Sequence, residues 1–228
     1  EDLRGGGAFI TGGTGFFGCW LLESLLWANA RLNLGCAAAV TGIRSLWARY
    51  PFPDYFMDEN AVKRGGEFDP MLYFTVLDHL SMEAGYTLDF VYTYDFMGGY
   101  PTLLARPDGT APYLSWNDVT QDTGDYLDHV VVDGTRQGYL QYVLLAVMGQ
   151  QFYLHWHANY NDLQVICDKI ALDALLTGTD DFGQELPAGV RRDARAIAEL
   201  EPRVEIGEQT VQVRLVVFTK WGGFYRFT

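Results

Sequence analysis

Thr87-Leu88-Asp89-Phe90-Val91-Tyr92-Thr93-Tyr94-Asp95-Phe96 is the stretch that decides the fold. Leu88, Phe90, Tyr92, Tyr94 and Phe96 recur at a period of two, which places them on one face of an extended strand. Gly98-Gly99 then supplies a turn, and Tyr100 to Arg106 returns as the partner strand of a hairpin. An antiparallel pair in mid-chain argues for an α+β fold and against a fully doubly wound parallel sheet.

Working outward, the downstream chain gives more antiparallel signals. Tyr126 to Val132 is strand-like, and Tyr139 to Met148 reads as a long apolar strand. Gly149-Gln150-Gln151 turns into a further strand from Phe152 to Tyr160. Helices fit Asp168 to Leu176 and Pro187 to Leu200, the latter with proline in its first turn. Val204 to Phe218 reads as one or two strands, and Trp221-Gly222-Gly223-Phe224 as a final hairpin. Upstream, Met71 to Ala84 predicts a helix ending at Gly85, after an irregular connection containing Pro51 and Pro53.

The N-terminal segment has a different character. Ala8-Phe9-Ile10-Thr11 is a short apolar strand followed by Gly12-Gly13-Thr14-Gly15-Phe16-Phe17-Gly18. A helix fits from Gly15 to Leu34, with Leu21, Leu22, Leu25 and Leu26 as its stripe and Gly35 as its C-cap. Ala37 to Ile43 then predicts a second buried strand. Glycines in such a loop let the backbone approach a pyrophosphate, and the helix N-terminus offers free N–H groups to it.

Residues 7–45 resemble the extended short-chain dehydrogenase/reductase family of NAD(P)-dependent epimerases and dehydratases. The resemblance implies a Rossmann-like βαβ segment over residues 1–50, whereas the strand patterning makes 51–228 an α+β antiparallel-sheet region. It makes Gly12, Gly15 and Gly18, with the intervening Phe16 and Phe17, the cofactor-binding loop. No acid lies between Ala37 and Ser45, whereas Arg44 does, which leans toward NADP as the cofactor. The family's catalytic Tyr followed four residues later by Lys is missing, because Lys63, Lys169 and Lys220 are preceded at that spacing by Glu59, Val165 and Val216.

Charge narrows the choice of partners. The 228-residue chain carries 29 acidic and 16 basic groups, a net charge of −13. Binding to nucleic acid or to an anionic membrane needs clustered Lys and Arg, so neither is expected. Residues 51–135 hold 15 acids against only Lys63, Arg64 and Arg106, which reads as a solvated acidic face. No apolar run reaches the ~18 residues of a membrane span. Cys19, Cys36 and Cys167 fit no zinc spacing and have apolar neighbours. Buried free thiols, a reducing compartment and hence a cytoplasmic location are the expectation. No secretory leader is expected after the acidic Glu1-Asp2-Leu3.

One further constellation stands out. His155-Trp156-His157, if extended, places two imidazoles on one strand face about 7 Å apart, within reach of one metal ion. With Gly149 before and Asp162 after, the spacing is similar to the first metal motif of cupins, though Asp stands for Glu and no later His supplies a fourth ligand. His129 could substitute if its strand is adjacent. Structural histidines satisfy the same pattern, and no stoichiometric metal is expected. Asp181-Phe182-Gly183 lacks the rest of a kinase, and Asp122, Asp125 and Asp128 read as a polar loop. Tyr92, Tyr94, Tyr100 and Trp116 are either pocket-lining or core. Three functions follow: an NAD(P)-binding, reductase-like protein without the usual catalytic pair, a non-catalytic α+β binding or assembly domain with a protein partner or a second copy, and an HxH metal protein.

Overall fold

The computed structural model describes residues 35–119, 124–178 and 185–228. Its centre is the expected hairpin, β2 (Tyr86–Asp95) against β3 (Gly98–Pro107), in unbroken antiparallel register from Tyr86↔Pro107 to Asp95↔Gly98. The turn is Phe96-Met97, so Gly98 and Gly99 belong to β3 and Phe96 is exposed at the tip rather than on the buried face. Before the hairpin come a helix over residues 35–48 (α1), two 3₁₀ turns at Asp54–Met57 and Pro70–Thr75, and the short strand β1 (Leu80–Met82). After it come β4 (Val130–Val132), α2 (Arg136–Met148), β5 (Gln164–Ile166), α3 (Lys169–Thr177), α4 (Ala188–Arg195), β6 (Arg203–Ile206), β7 (Val211–Thr219) and β8 (Gly223–Phe227).

Among the described residues every strand pair is antiparallel. β1 pairs with β4, while β7 collects β5, β6 and β8. The α+β class therefore holds, but the Rossmann-like βαβ unit does not. Residues 37–43, expected as its second strand, lie inside α1. There Cys36, Ala39, Val40, Ile43 and Leu46 are buried at helical spacing. The first expected strand and the glycine loop lie outside the described residues.

Three other expectations are corrected. Residues 139–148 form most of α2, not a strand. Thr135 caps α2 by accepting from the Gly138 N–H at 3.0 Å, and Leu140, Leu144, Leu145, Val147 and Met148 are all buried. A helix enclosed on most sides loses its polar stripe and so resembles a buried strand in sequence. Residues 71–84 are not one helix: a 3₁₀ turn started by Asp69 and Pro70 gives way to β1. Residues 126–132 are extended only in their second half, because Asp125 caps a 3₁₀ turn over Tyr126–His129.

The sheet around β7 separates two layers. Val165, Leu215 and Val217 face the main core with α1, α2 and the hairpin, while Ile166, Val216 and Phe218 face Leu172 of α3 and Ala194 of α4. A disulfide between Cys36 of α1 and Cys167, just after β5, ties α1 to the end of β5 at a Cα separation of 5.8 Å. This replaces the expectation that these two cysteines are free thiols. They lie 131 residues apart, so pairing was invisible to spacing rules. Among the described residues no helix is long and apolar enough to cross a membrane.

The hairpin is buried on its second face as well. There Asp89, 7% exposed, accepts from Lys63 Nζ at 2.5 Å, Arg106 Nε at 3.0 Å and the Tyr113 N–H at 2.9 Å. Burial pushes its carboxyl up, but the hydrogen bond and charge of Lys63, with backbone N–H groups, hold it below the usual carboxylate range. A depressed folded-state pKa stabilises above the ordinary carboxylate value, and that stability is lost as pH falls through the folded one. Asp89→Ala leaves two buried cations unpaired and is expected to cost about 3–5 kcal/mol. Urea denaturation between neutral and acidic pH checks both points: the variant should be weaker at neutral pH and lack this part of the acid dependence. Thiol titration of the unreduced, denatured chain should find one reactive cysteine of three, and reduction should lower stability by about 2–5 kcal/mol.

Candidate functional site

The site is built where α2 ends. Gly149 closes the helix by donating to the Leu145 carbonyl at 2.7 Å, and its own carbonyl accepts from the buried Tyr73 hydroxyl at 2.8 Å. That hydroxyl in turn accepts from the Trp47 indole at 2.8 Å, which fixes the end of α1 against the end of α2. Gln150 then accepts from the Leu103 N–H of β3 at 3.0 Å, and Gln151 from the Leu163 N–H at 3.2 Å. The chain from 152 onward is thereby held at both sides.

Two non-glycine residues in this segment have positive φ, Tyr153 at 56° and Trp156 at 54°. They are the only two such residues among those described, and both flank His155. Such backbone costs of order 1–3 kcal/mol each and persists only where the surroundings over-determine it. The surroundings do so here. The Tyr153 hydroxyl accepts from the Phe68 N–H at 2.9 Å, and its carbonyl accepts from the Tyr92 hydroxyl at 2.9 Å. His155 exchanges two backbone hydrogen bonds with Gly99, at 2.9 and 3.2 Å. Gly98 is required at this crossing: its φ is +111°, and a Cβ there would stand 2.3 Å from the His155 carbonyl oxygen.

The result is a crevice of about 470 Å³ with aromatic walls. Trp47, Tyr50 and Phe52 line it from the end of α1 and the following turn, Phe68 from the floor, and Phe152, Tyr153 and His155 from the strained segment. Phe52 stacks on the His155 ring at 5.0 Å and meets Tyr153 edge-on at 6.2 Å. Burial pushes the Tyr153 phenol above its ordinary value, so it is a neutral group at physiological pH. No carboxylate, lysine or arginine lines the crevice among the described residues.

The residues singled out by sequence fall elsewhere or change role. Gly12, Gly15, Phe16, Phe17 and Gly18 lie outside the described residues, as do Cys19, Asp122 and Asp181-Phe182-Gly183. Arg44 is exposed on α1 and lines a different crevice. His155 and His157 do not share a strand face, because a 3₁₀ turn starts at Trp156 between them. His157 instead packs on Trp156 at 4.1 Å and on Tyr160 at 5.8 Å. His129 is committed to Glu83 at 2.8 Å and to the Tyr86 ring at 3.8 Å. Among the described residues no three His, Cys, Asp or Glu side chains gather as a metal site.

Tyr92 is in the core, and Trp116 donates to the Thr93 hydroxyl at 2.9 Å; neither lines the crevice. The wall residues Trp47, Tyr50, Phe52 and Phe68 were missed because the first three surround Pro51 and Pro53 and the fourth lies in the polar stretch that follows, all in a connection read as irregular. Their aromatic density was the available signal. Comparison with protein-family models, curated proteins and solved structures finds no match to this chain.

Gly98→Ala should push the His155 segment off β3 and lower stability by about 1–3 kcal/mol. A thermal melt unchanged from the wild type would show that the crossing is looser than described.

Proposed function

We propose that the chain is a non-catalytic α+β binding domain that takes a small, planar, uncharged ligand in the aromatic crevice. The observation that carries this reading is a preformed cavity in which the Trp47 indole and the Tyr153 phenol are held from behind by hydrogen bonds to the Tyr73 hydroxyl and the Phe68 N–H. Such pre-organisation favours binding, since little conformational freedom is left to lose when a ligand enters. Ring faces and edges around the cavity suit another planar ring, by stacking and edge-to-face contact.

Acid–base or nucleophilic catalysis needs a second group within hydrogen-bond reach of the first. The described walls offer one imidazole, on His155, and the phenol of Tyr153, which burial pushes above its ordinary value. This combination orients a ligand through a hydrogen bond and does not build a catalytic pair. The nucleotide reading now rests on Gly12 to Gly18, since residues 37–43 are helical.

The test is titration with N-phenyl-1-naphthylamine, a neutral aromatic dye. We expect saturable one-to-one binding that Phe52→Ala weakens by about tenfold or more, equivalent to about 1.4 kcal/mol or more. Dye binding that is absent, or equal in wild type and Phe52→Ala, would overturn the crevice as the site. Calorimetry with NADP decides the nucleotide reading in the same preparation: saturable heat that Gly15→Val abolishes would restore it.

A further inference from the structure

Two phenols line the aromatic crevice, Tyr153 from the strained segment and Tyr50 from the turn after α1. The Tyr153 hydroxyl oxygen accepts from the Phe68 N–H at 2.9 Å. A phenol that accepts through its oxygen still has its own proton to donate. Among the described residues no acceptor takes that proton, and none takes the Tyr50 proton. Glu67 is close enough for its charge to raise the Tyr153 phenol, but its oxygens are occupied. They accept from the Tyr55 hydroxyl, from the Arg64 N–H at 2.5 Å and from the Gly65 N–H at 2.9 Å.

Burial makes the spare proton of Tyr153 matter. The residue is only 9% exposed, and a buried donor without an acceptor is costly. An incoming oxygen that accepts from it removes that cost. His155, the other polar side chain facing this hollow from the same segment, is only half-buried, so water can serve its ring nitrogens. Tyr153 is also fixed in direction. Phe68 holds its hydroxyl, the Tyr92 hydroxyl donates to its carbonyl at 2.9 Å, and Phe52 meets its ring edge-on at 6.2 Å. Tyr50 lies near enough to act on the Tyr153 phenol through its charge, which brings two hydroxyls to one part of the wall. A carbonyl oxygen has two lone pairs and can accept from both.

We propose, on the reading of this crevice as the ligand site, that it selects planar aromatic carbonyl compounds. The ring lies against Phe52 and Phe68, and the carbonyl oxygen accepts from the Tyr153 hydroxyl, with Tyr50 as the second donor. Ring contacts supply affinity, and the oxygen supplies specificity, because an analogue without it leaves the buried donor unpaired. Tyr153 is thus the specificity-determining residue of the site.

Displacement of bound N-phenyl-1-naphthylamine by indanone and by indane tests the proposal. The two compounds share a planar bicyclic frame and differ by a carbonyl in place of a methylene. Water solvates the carbonyl better, so a crevice without a donor favours indane. The wild type should instead bind indanone more tightly, by about tenfold or more. Tyr153→Phe should reverse that order while leaving the affinities for indane and for the dye unchanged. A wild-type preference for indane, or an indanone preference that survives in Tyr153→Phe, would overturn the proposal while dye binding kept the crevice as the ligand site. A wild type that binds neither the dye nor either compound would overturn both. Infrared spectroscopy of the wild type decides the matter even if Tyr153→Phe fails to fold. The carbonyl stretch of bound indanone should lie below its position in cyclohexane, and an unshifted stretch would overturn the proposal.

Discussion

A two-stranded ribbon with ten residues in each strand has no independent stability in water, and in this protein it must be covered on both faces. The rest of the described chain is arranged around that constraint. On one face Leu88, Phe90 and Tyr92 enter the main core, where Phe56 stacks on Tyr92 at 4.1 Å with their planes 10° apart. On the other face Val91 and Leu104 pack on Tyr113, and the buried Asp89 carboxylate requires cations. Lys63 and Arg106 meet that need, and Lys63 also lies over the Phe90 ring at 4.2 Å. The stretch carrying Lys63 and the stretch carrying Tyr113 are thereby fixed to the back of the ribbon.

The same constraint produces the aromatic crevice. The Gly98–Gly99 end of the ribbon has to meet something, and it meets the backbone of His155. Holding the chain there forces Tyr153 and Trp156 into positive φ, and the hydrogen bonds from Phe68 and Tyr92 keep Tyr153 in place. Strain at 153 and 156, the close approach at Gly98 and the ring walls are one feature seen from three sides. A rigid hollow is what remains between the end of α1 and a segment that cannot relax.

What was legible from sequence follows the same physics. The hairpin from 86 to 107 was readable because one face alternates strongly, and α3 was readable from its Asp168 cap and its amphipathic spacing. α2 and the described part of α1 were not, since Tyr139 to Met148 and Ala37 to Ile43 are apolar almost throughout and carry no period that separates helix from strand. The Cys36–Cys167 bond depends on a fold that brings positions 131 apart into contact, so the ground for inferring a reducing compartment falls with it. Of the candidate site residues, His155 was noticed for the wrong reason. Its role comes from the strained backbone around it, and φ is not written in a side-chain pattern.

The acidic middle of the chain needs no acidic-site explanation. Among the described residues, eight of its acids accept hydrogen bonds from backbone N–H groups: Asp58, Glu67, Asp69, Asp89, Asp95, Asp118, Asp125 and Asp133. This region is made of short turns and strands, whose ends leave many donors for side chains to satisfy. The protonation behaviour agrees. Backbone N–H groups of Ser115 and Leu114 hold Asp118 low, and His79 followed by Thr135 holds Asp133 at about 2. These carboxylates are parts of turns before they are a field for partners. The cations are distributed by a different rule, since nine of the 16 lie after residue 135, where longer helices and the β7 sheet replace the turns. There 11 acids stand against nine bases, and charges meet as side-chain pairs, such as Lys169 with Asp173 and Arg203 with Glu199.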